Sequence, residues 1–145
     1  MEIVTTIQDA WGWVGIKPAQ IVGDNSFGNL LIKDEVGLYW RLCPEDIYCK
    51  VIANTRAELD TLLQNQEFLE DWSMISLVAA AKDQLGALRP GYKYCLKIPG
   101  VLGGEYGGSN LATVPLRDLI AFSGHLAKEI QDLPDGTQIR LRVTE

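Results

Sequence analysis

Asn29-Leu30-Leu31-Ile32-Lys33-Asp34-Glu35-Val36-Gly37-Leu38-Tyr39-Trp40-Arg41-Leu42-Cys43 decides the architecture of this 145-residue chain. Asn29 to Lys33 and Leu38 to Cys43 are rich in aliphatic and aromatic residues, which suits strands, and Lys33 to Gly37 carries the Asp and Gly that a turn needs. A hairpin is therefore expected here. Pro44-Glu45-Asp46 interrupts the run, because proline cannot donate to a strand ladder, and Ile47 to Ala53 is expected to add a third strand.

Helical segments surround this strand group. Thr6 to Val14 places Ile7, Ala10, Trp11 and Val14 on one side, and Lys17-Pro18 ends it. Thr55-Arg56-Ala57-Glu58 matches a capping box and opens a helix with Leu59, Leu62 and Leu63 on one face. Asn65 weakens that helix, Glu67 to Trp72 resumes in a new segment, and Ser73 is expected to cap another running to Leu85, with Gly86 just beyond its end. Tyr92 to Ile98 alternates as a strand, and Pro115 can begin a helix. From there Leu116, Leu119, Ile120, Ser123, Ala127, Ile130 and Leu133 form one stripe, and Gln138 to Thr144 alternates as a last strand. The order predicts an α+β fold: a single domain spanning residues 1–145, with a mixed, mostly antiparallel sheet of about five strands packed by four to five helices.

The bulk composition narrows the function. Hydrophobic content of 47% with 22% charged residues is that of a globular chain. The N-terminus lacks a signal peptide's basic and apolar segments, and no stretch approaches the ~18 apolar residues needed to span a bilayer, so a cytoplasmic protein with reduced thiols is expected. A net charge of −6 disfavours direct binding of nucleic acid or anionic membrane. The charge is also uneven: thirteen acids face six bases up to Asp83, and Glu58 to Asp71 holds five acids and no base. Such a segment is either a solvated helix face or a field that steers a basic partner.

Reactive chemistry finds little support. Cys43, Cys49, Cys95 and His125 could supply four zinc ligands, but no Cys-x-x-Cys pair occurs, and His125 falls opposite the apolar stripe of its helix with Asp118, Glu129 and Asp132. Asp24, Ser26, Gly28 and Glu35 mimic a calcium loop whose required glycine is Asn29. Gly103 and Gly108 have P-loop spacing, but Ser109 stands where the lysine belongs. Cys95 lies on the Lys93/Lys97 side of its strand without a histidine partner, which favours a structural thiol. No metal, cofactor or catalytic residue is expected. What remains is the loop Ile98-Pro99-Gly100-Val101-Leu102-Gly103-Gly104-Glu105-Tyr106-Gly107-Gly108-Ser109-Asn110, where glycines permit close backbone approach and Val101, Leu102 and Tyr106 offer apolar anchors, or else Val101 and Leu102 tuck into the chain's own core.

Several segments together resemble a known bacterial family: Phe27-Gly28-Asn29, Gly37-x-Tyr39-Trp40-Arg41, Cys43-Pro44-Glu45-Asp46, Glu67-Phe68 with Asp71-Trp72, Gly86-x-Leu88-x-Pro90-Gly91, and Lys97-Ile98-Pro99-Gly100-x-x-Gly103-Gly104 with Asn110. The family is that of type VI secretion immunity proteins, in which the domain forms the C-terminal part of antidotes to DNase toxins, often behind a further N-terminal domain. The resemblance runs from about Trp11 to Val143 and implies a non-enzymatic, cytoplasmic protein that binds and inhibits a cognate toxin, a nuclease. For such a partner, Asp34, Glu35, Glu45 and Asp46 are the expected charged contacts, and Leu102, Glu105 and Tyr106 the loop contacts. Two other readings stand beside it: a small-ligand-binding or enzymatic domain using loop 99–110 as a lid, and a scaffold subunit acting through oligomers.

Overall fold

The computed structural model describes residues 2–131 and 133. Among them the chain forms six strands in two antiparallel sheets, with five α-helices. Helix α1 (Glu2–Trp11) is followed by a 3-10 turn and by β1 (Pro18–Asp24). A four-stranded meander continues through β2 (Leu30–Asp34), β3 (Tyr39–Cys43) and β4 (Tyr48–Ala53) in the order β1-β2-β3-β4. Next come α2 (Arg56–Leu62), α3 (Gln66–Ser73) and α4 (Ile75–Leu85). β5 (Tyr92–Leu96) and β6 (Leu111–Pro115) pair as a second sheet, and α5 (Leu116–Ile130) follows. The expected α+β class holds, with its strands divided between two sheets rather than gathered in one. The expected strand 138–144 lies outside the described residues.

The Asn29–Cys43 stretch forms the expected hairpin, with Leu30 opposite Leu42 and Ile32 opposite Trp40. Its continuous apolar run follows from burial on both faces. Leu30, Ile32, Trp40 and Leu42 join Ile7 and Trp11 of α1 and Ile120, Leu126 and Ala127 of α5 on one side. Leu31, Tyr39 and Ala53 meet Leu59 of α2, with Phe68 and Trp72 of α3 packed around them, on the other. A third cluster fastens α4 to the second sheet through Ala81, Tyr94, Leu96 and Leu111, with Phe27 among them. Helices α1 and α5 cross closely because position 124 is glycine: a Cβ there would stand 2.7 Å from Ala10 Cβ.

Local signals explain the helix boundaries. Thr55 accepts a bond from the Glu58 amide at 3.1 Å, as a capping box requires, whereas the Glu58 carboxylate reaches back to the amide of Asn54. Asn65 is a true N-cap, accepting from the Phe68 amide at 2.9 Å. Ser73 does not cap α4 but ends α3, and Met74, in left-handed geometry at φ 49°, forms the joint between the two helices. Two strands lie where the sequence suggests none. Pro18 opens β1 as the first residue of an edge strand, a place where its missing N–H need not cost a ladder bond. β6 is a short strand held in place by β5, from Leu96 opposite Leu111 to Tyr92 opposite Pro115.

Candidate functional site: an acidic groove beside the glycine-rich loop

The β3–β4 turn, the α3–α4 joint and the glycine-rich loop converge on one groove of about 480 Å³. Glu45, Asp46, Glu70 and Asp71 line it with carboxylates, Met74, Ile75, Leu77 and Ala80 form its apolar side, and Tyr106 stands at its edge. Glu70 and Asp71 belong to the acid-rich segment before Trp72, whose charge was legible in the sequence although neither residue was singled out as a contact.

Beneath the groove lies a polar knot built almost wholly from the motif residues. Asn29 is fully buried and bridges two charges: its Nδ2 donates to Glu45 Oε1 at 2.7 Å, and its Oδ1 accepts from Arg41 Nε and Nη2 at 3.1 and 2.9 Å. Arg41 Nη1 donates to Asp71 Oδ2 at 2.6 Å, tying β3 to α3. The guanidinium also lies 5.7 Å from the centre of the Phe68 ring and 5.2 Å from that of Trp72, which shelters its charge. Burial disfavours that charge, but the bond to Asp71 and the charge of Asp71 favour it, and Arg41 stays firmly cationic. Asn25 Nδ2 adds a bond to the Trp72 carbonyl at 2.9 Å.

The turn that presents Asp46 is strained. Ile47 occupies the left-handed region at φ 54°, which costs a β-branched residue about 1–3 kcal/mol. Its side chain is held in the main core, which offsets that cost and leaves Asp46 directed outward. Desolvation raises the carboxyl pKa values of Glu45 and Asp46 above the ordinary range, and the nearby Asp71 charge adds to the effect at Asp46. Cys43, Glu45 and Asp46 present a thiol and two carboxylates within 4.8 Å of one another. Burial pushes the Cys43 thiol strongly upward, and Glu45 is committed to Asn29, so this set is poorly prepared to release protons to a metal. Burial likewise lifts Cys49 to about 12 and Cys95 to about 11, Lys97 only partly opposing the shift at Cys95. His125 is exposed and lies 3.1 Å from Glu129.

The expected contact residues separate into two groups. Glu35, Asp46, Glu105 and Tyr106 are exposed, and Leu102 is half-buried against the main core. Asp34 and Glu45 are buried, contrary to the surface position expected of them. The Asp34 carboxylate accepts from the amides of Val36 and Leu38 and from Trp40 Nε1, so it serves its own turn. Of the seven, the groove gathers Glu45, Asp46 and Tyr106. Arg41, Asn29, Asp71 and Ile75 complete the region, and the first three already stood among the motif residues.

The glycine-rich loop is pinned at many points. Asn110 accepts from the Ile98 amide and donates to the carbonyls of Ile98 and Glu105, each within 2.9 Å. The Gly100 amide donates to the Glu45 carbonyl at 2.7 Å, and the Tyr106 hydroxyl donates to Asp46. Gly104 passes so close to the Ile98 carbonyl that no side chain would fit there. The close approach that Gly104 permits is thus to the loop's own backbone, and Gly100 makes room for the Tyr106 ring. Below the start of the loop, between Phe27, Pro44, Leu96 and Pro99, the open space is about 10 Å³, far smaller than a metabolite requires.

These features define an α+β protein with a fixed loop, a buried arginine–asparagine–glutamate knot and an acidic groove with one apolar wall. Residues 53–127, about half the chain and including the loop and α3, match the family model described as T6SS immunity protein Tdi1, C-terminal, and the chain belongs to that family. Membership implies a cognate toxin as partner. No curated relative matches the chain. No helix among the described residues is long and apolar enough to cross a membrane.

Proposed function

We propose that this chain is a cytoplasmic immunity protein that binds a cognate nuclease toxin and blocks its active site or substrate channel, without catalysing a reaction itself. Family membership supplies the toxin, and the observation that favours a nuclease is the acidic groove. A surface that binds DNA or RNA is positively charged, so an inhibitor that covers it benefits from carboxylates arranged to meet that charge. The net charge of −6 adds a long-range attraction that speeds encounter and weakens with salt. Asp46 and Tyr106 are the groove contacts in this reading, with Glu105 and Leu102 on the adjoining loop and Glu35 contributing to the field.

Growth rescue tests the proposal. The product of the neighbouring gene, expressed alone, should degrade nucleic acid and arrest growth, and co-expression of this chain should restore growth and yield a stable complex. Survival without this chain, or a toxin that acts on something other than nucleic acid, would refute the nuclease assignment. The pinned loop and the scarcely open space beneath it weigh against the lid alternative.

A further inference from the structure

The groove also specifies the chemistry of what enters it. We propose that it receives a basic amphipathic segment of the partner: an arginine or lysine head placed among Asp46, Glu70 and Asp71, with apolar neighbours of that residue lying on Met74, Ile75 and Leu77. This inference rests on the toxin-binding reading and deepens it.

Charge comes first. Four carboxylates line the groove, and its lining includes no lysine or arginine among the described residues. Arg41 is already bonded to Asn29 and Asp71 and covered by two aromatic rings, and its charge offsets only part of the penalty on an ionised Asp46. Burial and the adjacent Asp71 charge both penalise an ionised Asp46, and an incoming cation would relieve that penalty.

The apolar wall is the second, independent feature. Ile75, which lines the groove, opens α4 with 74% of its surface exposed. A single exposed aliphatic residue is ordinary, but Ile75 lines the same groove as Met74, Leu77 and the carboxylates. A purely polar ligand or a bare metal ion would leave that wall uncovered. A lysine or arginine carries its own aliphatic stem, and a neighbouring leucine would complete the contact.

The test uses a fourteen-residue amphipathic peptide carrying arginines and leucines on one helical face, titrated into the isotope-labelled full chain. A peptide with glutamate replacing arginine, and magnesium alone, serve as the other probes. Expected are shifts in the backbone signals of Asp46, Asp71, Ile75 and Tyr106, with affinity falling at least tenfold for Glu70→Lys and for Ile75→Asp. Both substitutions are at exposed positions, and unchanged thermal unfolding would show that they fold. No response to the arginine peptide, shifts elsewhere, equal binding by both variants, or a preference for magnesium overturns the inference. If the neighbouring toxin binds the wild type and both variants equally, the groove assignment fails while the immunity reading stands. If it does not bind the wild type at all, the immunity reading falls with it.

Discussion

Two acidic turns flank β3, and each pairs one buried carboxylate with one exposed carboxylate. In the first, Asp34 is buried and Glu35 exposed; in the second, Glu45 is buried and Asp46 exposed. Similar composition gives opposite electrostatics. Burial works against ionisation of Asp34, but donors from Trp40 and from the backbone of Leu38, Val36 and Gly37 outweigh it and lower its pKa. At Glu45, desolvation prevails over its hydrogen bonds, Asn29 among them, and the pKa rises. The first turn has committed its charge to its own amides. The second holds charge in a costly environment beside a groove, the situation in which a partner's cation gains most.

Cutting the support of the second turn is expected to have the largest effect. Asn29→Ala removes the bridge between Arg41 and Glu45, and stranding buried charge in this way should cost about 3 kcal/mol in urea unfolding. Asp34→Ala deprives three donors of their acceptor, two of them backbone amides that water can reach once the turn loosens, and should cost about 2 kcal/mol. Glu35→Ala should leave stability unchanged within experimental error. If Asp34→Ala were equally silent, the contrast between the turns would be lost.

The pH dependence of stability sharpens the same contrast. Glu45 has a raised folded-state pKa, so its contribution is complete below the ordinary glutamate value and is lost as pH climbs through the folded value. Asp34 has a lowered one, so its contribution is present above the ordinary aspartate value and disappears as pH falls through the folded value. Glu45→Gln should therefore gain on the wild type at pH 7, and the gap should close as pH drops toward 4.5. Below about pH 4 both proteins should lose the Asp34 share together. Unfolding curves at pH 7, 5.5, 4 and 3 would read this directly, and a gap that widens on acidification would reverse the assignment for Glu45.

How much of this was legible follows from where each signal resides. The hairpin, the apolar faces of α1 and α5 and the Thr55 cap depend on neighbours within a few residues, and they appear nearly as expected, whereas α4 buries Ala81 and leaves Ile75 exposed. β1 and β6 take their form from partners elsewhere in the chain. Ile21 and Val22 alone do not declare a strand, and Leu111 to Pro115 is recognisable only opposite Tyr92 to Leu96. The groove shows the same division. Asp46 and Tyr106 stood out as polar or aromatic loop residues, whereas the contribution of Asp71 depends on Arg41, thirty positions earlier, bonding it from another element. Asp34 and Glu45 misled for the same reason, since composition places acids on the surface and only the fold supplies the donors that draw them inward.

The smallest expected effect concerns whether the loop is a fixed surface or a lid. Tyr106 is half-exposed and donates its hydroxyl to Asp46, which is also exposed. Water can replace that bond on both sides, so Tyr106→Phe should cost at most about 1 kcal/mol. Hydrogen exchange separates the possibilities better than stability does. The Ile98 and Gly100 amides are bound by Asn110 and by the Glu45 carbonyl, independently of Tyr106, and should keep their protection in Tyr106→Phe. Asn110→Ala, by contrast, should release the Ile98 amide. Were Tyr106→Phe alone to free both amides, the tyrosine would be a latch and the loop a moving cover, and the small-ligand reading would regain the support that the pinned geometry now denies it.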